Sequence, residues 1–267
     1  MKKTLILVLA LALALTAFAG CGKKEDNVLK VGATPAPHAE ILAVAKEILA
    51  EDGITLEIVE YNDYVLPNTA TEDGDIDANF FQHTPYLNDF NAENGTHLVS
   101  VAAIHYEPLG IYAGKTASLA DLKEGATVAI PDDGTNEARA LKLLEAQGLI
   151  TLDENADFTA TVLNIVDNPL NLDIQEIEAA QVPRTLQDVD IAVINGNYAI
   201  DAGLDASLIL ATEDPDSEAA VTYANILVVK EGNEDNEQIQ ALIAAMQTEE
   251  VRTFIEETYG VAIVPMF

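Results

Sequence analysis

The chain has 267 residues, with 45 acidic residues against 13 lysines and arginines and a formal charge of −32 at pH 7. A surface so acidic excludes nucleic acid and anionic membrane faces as natural partners. At 49% hydrophobic residues it is no disordered acidic tail, and one cysteine allows no internal disulfide, so the core must rest on aliphatic packing.

In chain order, Lys2-Lys3 precedes an unbroken apolar run from Leu5 to Leu15, then Ala17, Ala19, Gly20 and Cys21. The run is too short to span a membrane, and residues 1–20 read as a secretory signal peptide. Ala19-Gly20-Cys21 resembles a bacterial lipobox, with Phe18 standing where leucine is usual. Cleavage before Cys21 and lipid (palmitate) on its sulfur would anchor the protein on the extracytoplasmic face of the cell membrane. Residues 21–27 are then the lipidated cysteine and a polar tether. Loss of residues 1–20 removes Lys2 and Lys3 and no acid, moving the charge from −32 to −34.

From Val28 the pattern alternates strands and helices. Leu29–Ala33 is a strand, and Thr34-Pro35-Ala36-Pro37 turns into a helix with Ile41, Leu42, Ala45, Ile48 and Leu49 on one face. Ile54, Leu56 and Ile58 alternate as a second strand, and a short helix covers residues 68–73. Ile76, Ala78 and Phe80 then alternate against Asp75, Asp77 and Asn79 as a third strand. Thr84-Pro85 opens the next helix, with threonine expected as its cap. Strands at Val99–Ile104 and Gly110–Ala113 follow, and the pattern restarts with a short helix at Ser118–Leu122. A strand at Thr127–Ile130 and a long helix from Thr135 to Gln147 come next. Further strands are expected at Thr161–Ile165, Leu172–Ile177, Ile191–Ile194 and Asn225–Val229, then helices at Gln238–Gln247 and Glu249–Tyr259. This spacing implies mostly parallel α/β sheets in two lobes around a cleft: 28–109 plus 210–267, and 110–209.

Three stretches carry chemistry. Phe80-Phe81-Gln82-His83, with Tyr86 one turn on, lies at the carboxyl end of a strand, where open α/β sheets bind ligands. In Asp133-Gly134-Thr135-Asn136-Glu137-Ala138-Arg139, a cap at Thr135 would leave free N–H groups beside an amide and a guanidinium, a receptor for a carboxylate. Arg139 stands out because the chain has only three arginines. Asn195-Gly196-Asn197 offers amides just after a buried-looking strand, although turn chemistry alone explains Asn-Gly.

Together with further motifs, these stretches make the sequence resemble the NlpA lipoprotein family of methionine-binding lipoproteins of ABC importers. The resemblance runs through Val31-Gly32-Ala33-Thr34-Pro35, Pro37-His38-Ala39-Glu40, Asp63-Tyr64-Val65 and Pro67-Asn68-Thr69-Ala70. It continues through Asp77–His83 with Pro85-Tyr86-Leu87, His105 with Glu107-Pro108, and Gly110-Ile111-Tyr112. Ala129-Ile130-Pro131, Thr135-Asn136-Glu137 with Arg139-Ala140-Leu141, Glu178–Gln181, Ala192–Ala199, Tyr223-Ala224-Asn225 and Val264-Pro265 complete it. Tyr106 and Ala138 stand where relatives often carry an aliphatic residue and glycine.

The resemblance implies a two-lobed type II periplasmic-binding-protein fold, a receptor rather than an enzyme, and no cofactor or structural metal. Its ligand would be L-methionine, with D-methionine, a methionyl dipeptide or another apolar amino acid as alternatives. Its macromolecular partner would be the permease and ATPase complex of the importer. Carried over, Arg139 and Asn136 would hold the carboxylate, and Asn195 and Asn225 the amino and carboxylate groups from the facing side. Phe81, His83, Tyr86, His105 and Tyr64 would line the thioether pocket. A metal receptor using His38, His83, His105 and Glu40 is the remote alternative, lacking any close ligand pair. A secreted hydrolase is disfavoured by the absence of a Gly-x-Ser-x-Gly elbow or a His-Glu-x-x-His helix.

Overall fold

The computed structural model describes residues 27–267, so the signal peptide and Cys21 lie outside the described residues. The chain forms a two-lobed α/β fold around two main sheets.

The first sheet has strand order β13-β4-β12-β3-β1-β2. It comprises β1 (Val28–Ala33), β2 (Thr55–Glu60), β3 (Ala78–His83), β4 (Leu98–Tyr106), β12 (Ala224–Lys230) and β13 (Val264–Pro265). β1 pairs in parallel with β2 and β3, whereas β12 pairs antiparallel with both β3 and β4. The expected mostly parallel sheet is therefore mixed. β4 runs out toward the second lobe and β12 runs back from it, so the two returning directions must oppose. The register sets Asn225 opposite His83 on one side and His105 on the other, which gathers three polar side chains at one sheet edge.

Helices α1 (Glu40–Glu51), α2 (Leu66–Asp73) and α3 (Thr84–Asn94) connect these strands, and α7 (Glu237–Met246) and α8 (Glu249–Tyr259) complete the lobe. Its core joins Val31, Phe80, Ile104 and Leu227 from the sheet to Ile41, Leu42, Leu242 and Ile255 from the helices. All six residues of β3 are buried, so the expected half-polar alternation gives way at Asn79, in a central strand. Asn79 is tolerated there because its Nδ2 donates to Asn68 Oδ1 at 3.0 Å and to Thr71 Oγ1 at 2.7 Å.

The second sheet, ordered β11-β5-β10-β6-β9, comprises β5 (Gly110–Ala113), β6 (Thr127–Pro131), β9 (Asp173–Ile177), β10 (Ile191–Ile194) and β11 (Ile209–Thr212). Val128, Ile130, Ile191 and Val193 face the long helix α4 (Gly134–Ala146), and Ala129, Ala192 and Ile194 face Val182 and Tyr198. Burial on both faces explains why these strands read as unbroken apolar runs. β11 pairs antiparallel with β5, so the second sheet takes in residues through Thr212. The stretch expected as a strand at Thr161–Ile165 is instead a 3₁₀ turn, Val162–Asn164, capped by Thr161. β8 (Ile165–Asp167) then pairs with β7 (Thr151–Leu152) in a separate ribbon. Helix α5 (Gly196–Asp201) follows β10 within the second lobe, and α6 (Glu218–Thr222) lies between β11 and β12 on the return to the first sheet. Among the described residues no helix is long and apolar enough to cross a membrane.

Candidate ligand site

Parallel pairing of β6 with β10 brings the loop before α4 and the loop before α5 to one sheet edge, facing the edge that carries His83 and Asn225. Between them lies a narrow cavity of about 20 Å³, lined by residues from both edges.

His83 caps α3, in place of the expected Thr84: Tyr86 N–H donates to its Nδ1 at 3.2 Å. Nδ1 must therefore be unprotonated, so Nε2 carries the hydrogen and donates to Asn136 Oδ1 at 3.2 Å across the cleft. Burial, and then the Arg139 charge, push the His83 pKa down to about 3, so the ring is neutral at physiological pH. α4 is likewise capped by Asp133 rather than Thr135, because aspartate one position before Gly134 can reach the Asn136 N–H at 3.0 Å. The same Asp133 Oδ1 takes Asn136 Nδ2 at 2.8 Å, which fixes the amide so that its oxygen also accepts from Asn195 Nδ2 at 2.8 Å.

Asn225 is oriented from below. Its Oδ1 lies 3.0 Å from His38 Nε2, while His38 Nδ1 lies 2.7 Å from Thr34 Oγ1, so His38 donates to the amide and accepts from the threonine. Nδ2 is then the end of Asn225 turned away from His38. Burial pushes the His38 pKa down to about 4.

The aromatic side of the cavity is Tyr64, Phe81 and Tyr86. Tyr64 and Phe81 centroids are 5.7 Å apart, and Tyr64 meets Tyr86 edge-on at 5.7 Å. Tyr64 also stacks on Tyr198 at 4.8 Å and donates to Asn197 Oδ1 at 2.6 Å. These bonds, with His83 to Asn136, close the two lobes on each other.

Arg139 is buried and already paired. Nε donates to Glu213 Oε1 at 2.8 Å, Nη2 donates to Glu213 Oε2 at 2.6 Å and to Glu107 O at 2.8 Å, and the guanidinium lies 4.4 Å from the Tyr223 ring centre. Nη1 is the nitrogen engaged by neither glutamate.

Eight of the nine expected residues thus border one cavity: Tyr64, Phe81, His83, Tyr86, Asn136, Arg139, Asn195 and Asn225. His105 does not. It is fully buried behind the wall, its Nε2 donating to Glu107 Oε1 at 2.7 Å. The same Glu107 oxygen is 3.5 Å from His38 Nε2. Two of the histidines proposed for a metal, His38 and His105, therefore converge on Glu107, not on Glu40, which is exposed and bonded to Tyr259. His83 lies apart, committed to Asn136. His105 bonds Glu107 and His38 bonds Asn225 directly, and these two first-lobe histidines read as supports of the cavity floor.

Sequence reasoning missed Gln82, Glu107, Gly196 and Asn197 as lining residues. Gln82, Gly196 and Asn197 lay in stretches already singled out. Gly196 has a close-approach signal: a Cβ there would meet Glu107 Cβ and Oε2 at 2.9 Å. Two lining atoms are buried without a partner among the described residues, the Asn195 Oδ1 acceptor and the Asn197 Nδ2 donor. Leaving such groups unmet costs about 1–3 kcal/mol each, which a bound ligand offering both a donor and an acceptor would recover.

Asp133 supplies a pH prediction. Burial raises its carboxyl to about 6, and the contacts from Asn136 only partly offset this. A folded value raised above the ordinary one stabilises the protein below about pH 4 and loses that contribution as pH rises through about 6. Urea unfolding of Asp133→Asn, which keeps the capping oxygen, should therefore gain on wild type by about 1–3 kcal/mol between pH 4.5 and 7.5. Parallel pH profiles for the two proteins would overturn this.

The NlpA lipoprotein family model matches residues 29–267. Membrane lipoprotein TpN32 of Treponema pallidum (strain Nichols) is 45% identical over 239 residues, 90% of this chain and 88% of that one. The D-methionine-binding lipoprotein MetQ of Salmonella typhi is 44% identical over 241 residues, 88% of each chain. A solved structure of a nutrient binding protein from Burkholderia cenocepacia bound to methionine is 41% identical, with a TM-score of 0.85, covering 90% of this chain and 100% of that one. Matched nearly end to end in sequence and in fold, the chain belongs to the NlpA lipoprotein family.

Proposed function

We propose that the protein is an extracytoplasmic substrate-binding lipoprotein that captures methionine between its lobes and delivers it to an ABC importer. The observation that carries this reading is the pairing of two chemistries in one cavity. The unmet Asn195 oxygen and Asn197 amide, with Arg139 Nη1 and Asn225 Nδ2, suit the ammonium and carboxylate of a zwitterion. Tyr64, Phe81 and Tyr86 suit a polarizable thioether. The relatives named for methionine, and the Burkholderia protein that holds it, support the same ligand.

In this reading Arg139 and Asn225 meet the carboxylate, Asn195 meets the ammonium, and Asn136 and His83 order the wall rather than donate to the ligand, since both are already bonded to each other. His105 supports Glu107. The lobes are residues 28–109 with 213–267, and 110–212, joined at the crossings near Pro108 and Glu213. A net-neutral ligand also explains how a protein of charge −34 after loss of residues 1–20 serves as its receptor, because little long-range steering is needed.

Calorimetry on ligand-stripped protein tests this: methionine should give saturable heat without turnover, unchanged by a chelator. Small-angle scattering should show a smaller radius of gyration with methionine than without, as expected when ligand favours the closed population. No heat with either methionine enantiomer would overturn the assignment.

Anchoring follows from Cys21. Acyl chains contribute about 0.8 kcal/mol per buried CH₂, and two or more chains hold a protein stably on a membrane. Cys21→Ala should leave the protein unprocessed or release it to the soluble extracytoplasmic fraction. Mature size and membrane fractionation unchanged in that variant would rule out the anchor.

A further inference from the structure

Glu213 sits immediately after β11, where the chain leaves the second lobe, and its side chain is only 11% exposed. Four donors from three separate segments converge on its carboxylate. Oε1 takes Arg139 Nε at 2.8 Å. Oε2 takes Arg139 Nη2 at 2.6 Å, the Tyr106 hydroxyl at 2.6 Å and the Leu109 N–H at 2.9 Å. The Glu213 N–H in turn donates to Leu109 O at 3.0 Å. Tyr106 ends β4 and Leu109 lies on the outgoing crossing, whereas Glu213 lies on the returning one. One carboxylate therefore joins both crossings and the arginine of α4.

Most of the 45 acids need no such account, because a solvated carboxylate makes whatever contact passes. Here the geometry demands two oxygens. A guanidinium presenting Nε and Nη2 side by side is matched by a carboxylate fork and by nothing neutral of the same shape. Tyr223, from the same returning crossing, lies against the guanidinium at 4.4 Å and restricts its plane. Of the three guanidinium nitrogens, Nη1 alone bonds neither glutamate, and Arg139 borders the cavity.

We propose that Glu213 is a positioning residue: it holds the Arg139 guanidinium with Nη1 toward the cavity and ties that group to both crossings, so that carboxylate capture and lobe closure act together. The inference rests on the methionine reading for its ligand arm, but the hold on Arg139 is testable without ligand.

The chain has three arginines, so three side-chain Nε–H resonances are expected in ¹⁵N-labelled protein. In ligand-free wild type one of them should exchange slowly with water, and Arg139→Lys should identify it by its loss. Glu213→Gln puts an amide NH₂ against a donor, and that resonance should then exchange about tenfold faster or more. Tyr106→Phe, which removes one donor and no charge, should give a smaller change in the same direction and carries the test if Glu213→Gln does not fold. In titrations, the wild-type preference for methionine over methionine amide should fall about tenfold or more in folded Glu213→Gln. The ligand-induced decrease in radius of gyration should shrink with it. Retained Nε–H protection would overturn the hold on Arg139. An acid-over-amide preference unchanged or increased in Glu213→Gln would show that Glu213 only offsets charge, and would overturn the positioning role. A wild type that binds neither compound would instead sink the methionine reading, leaving the ligand-free exchange rates to decide the hold on Arg139.

Discussion

In Arg139→Ala, methionine affinity should fall roughly 30- to several-thousand-fold, about 2–5 kcal/mol, because a buried carboxylate loses its charged donor. The structure adds a cost to folding. Glu213, bonded to Arg139 through both oxygens, would be left buried and uncompensated, a loss of about 3–5 kcal/mol for a broken buried pair. Arg139→Ala with Glu213→Gln should recover much of that stability and none of the affinity. This separates the two roles by urea unfolding and by titration with methionine and its amide. Wild type should strongly prefer the acid; Arg139→Ala should lose most of that preference while Tyr86→Ala keeps it. A variant that retains the full preference would remove Arg139 from the ligand.

Phe80→Ala should destabilise the protein by about 3–5 kcal/mol, the range for truncating a fully buried aromatic. Phe80 lies in the core of the first lobe, its ring centre 4.7 Å from that of His38 and 5.3 Å from that of His105, each roughly perpendicular to it. The cavity left would loosen the histidine that orients Asn225, so methionine binding should weaken even at temperatures where the variant is folded. Phe80→Leu should cost less on both counts. A loss under about 1 kcal/mol on chemical denaturation of Phe80→Ala would mean that the lobe repacks around the gap, contrary to close packing.

Most strands and helices of both lobes were legible because each depends on a local period. The strand read at Thr161–Ile165 is however a 3₁₀ turn, and β11, β13, α5 and α6 are too short to show a period. The alternation of β1 and β2 and the 3.6-residue spacing of α1 survive any tertiary arrangement. Of the candidate site, Phe81, His83 and Tyr86 could be read from the strand-to-helix break, and Arg139 from its rarity beside a helix start. Asn136, Asn195 and Asn225 became specific through the family resemblance. The caps went to His83 and Asp133 rather than to Thr84 and Thr135, since which side chain reaches the N–H depends on the backbone angle entering the helix. The half-polar alternation read at Asp75–Phe80 holds in burial except at Asn79. It fails there because burial of both faces depends on what lies beside the strand, and the period cannot report that.

By itself, then, the sequence determined the order of elements, the apolar leader ending at Cys21 and the residue types a zwitterion and a thioether require. The tertiary structure alone decided that His105 serves Glu107, that His83 bonds Asn136 across the cleft, and that Glu213 holds Arg139. Those pairs are separated by 2, 53 and 74 positions. Even the nearest of them is set by β4 ending beside the crossing. A local pattern carries information over one or two turns of chain, whereas a hydrogen bond between lobes exists only once two independently formed sheets have brought their edges together.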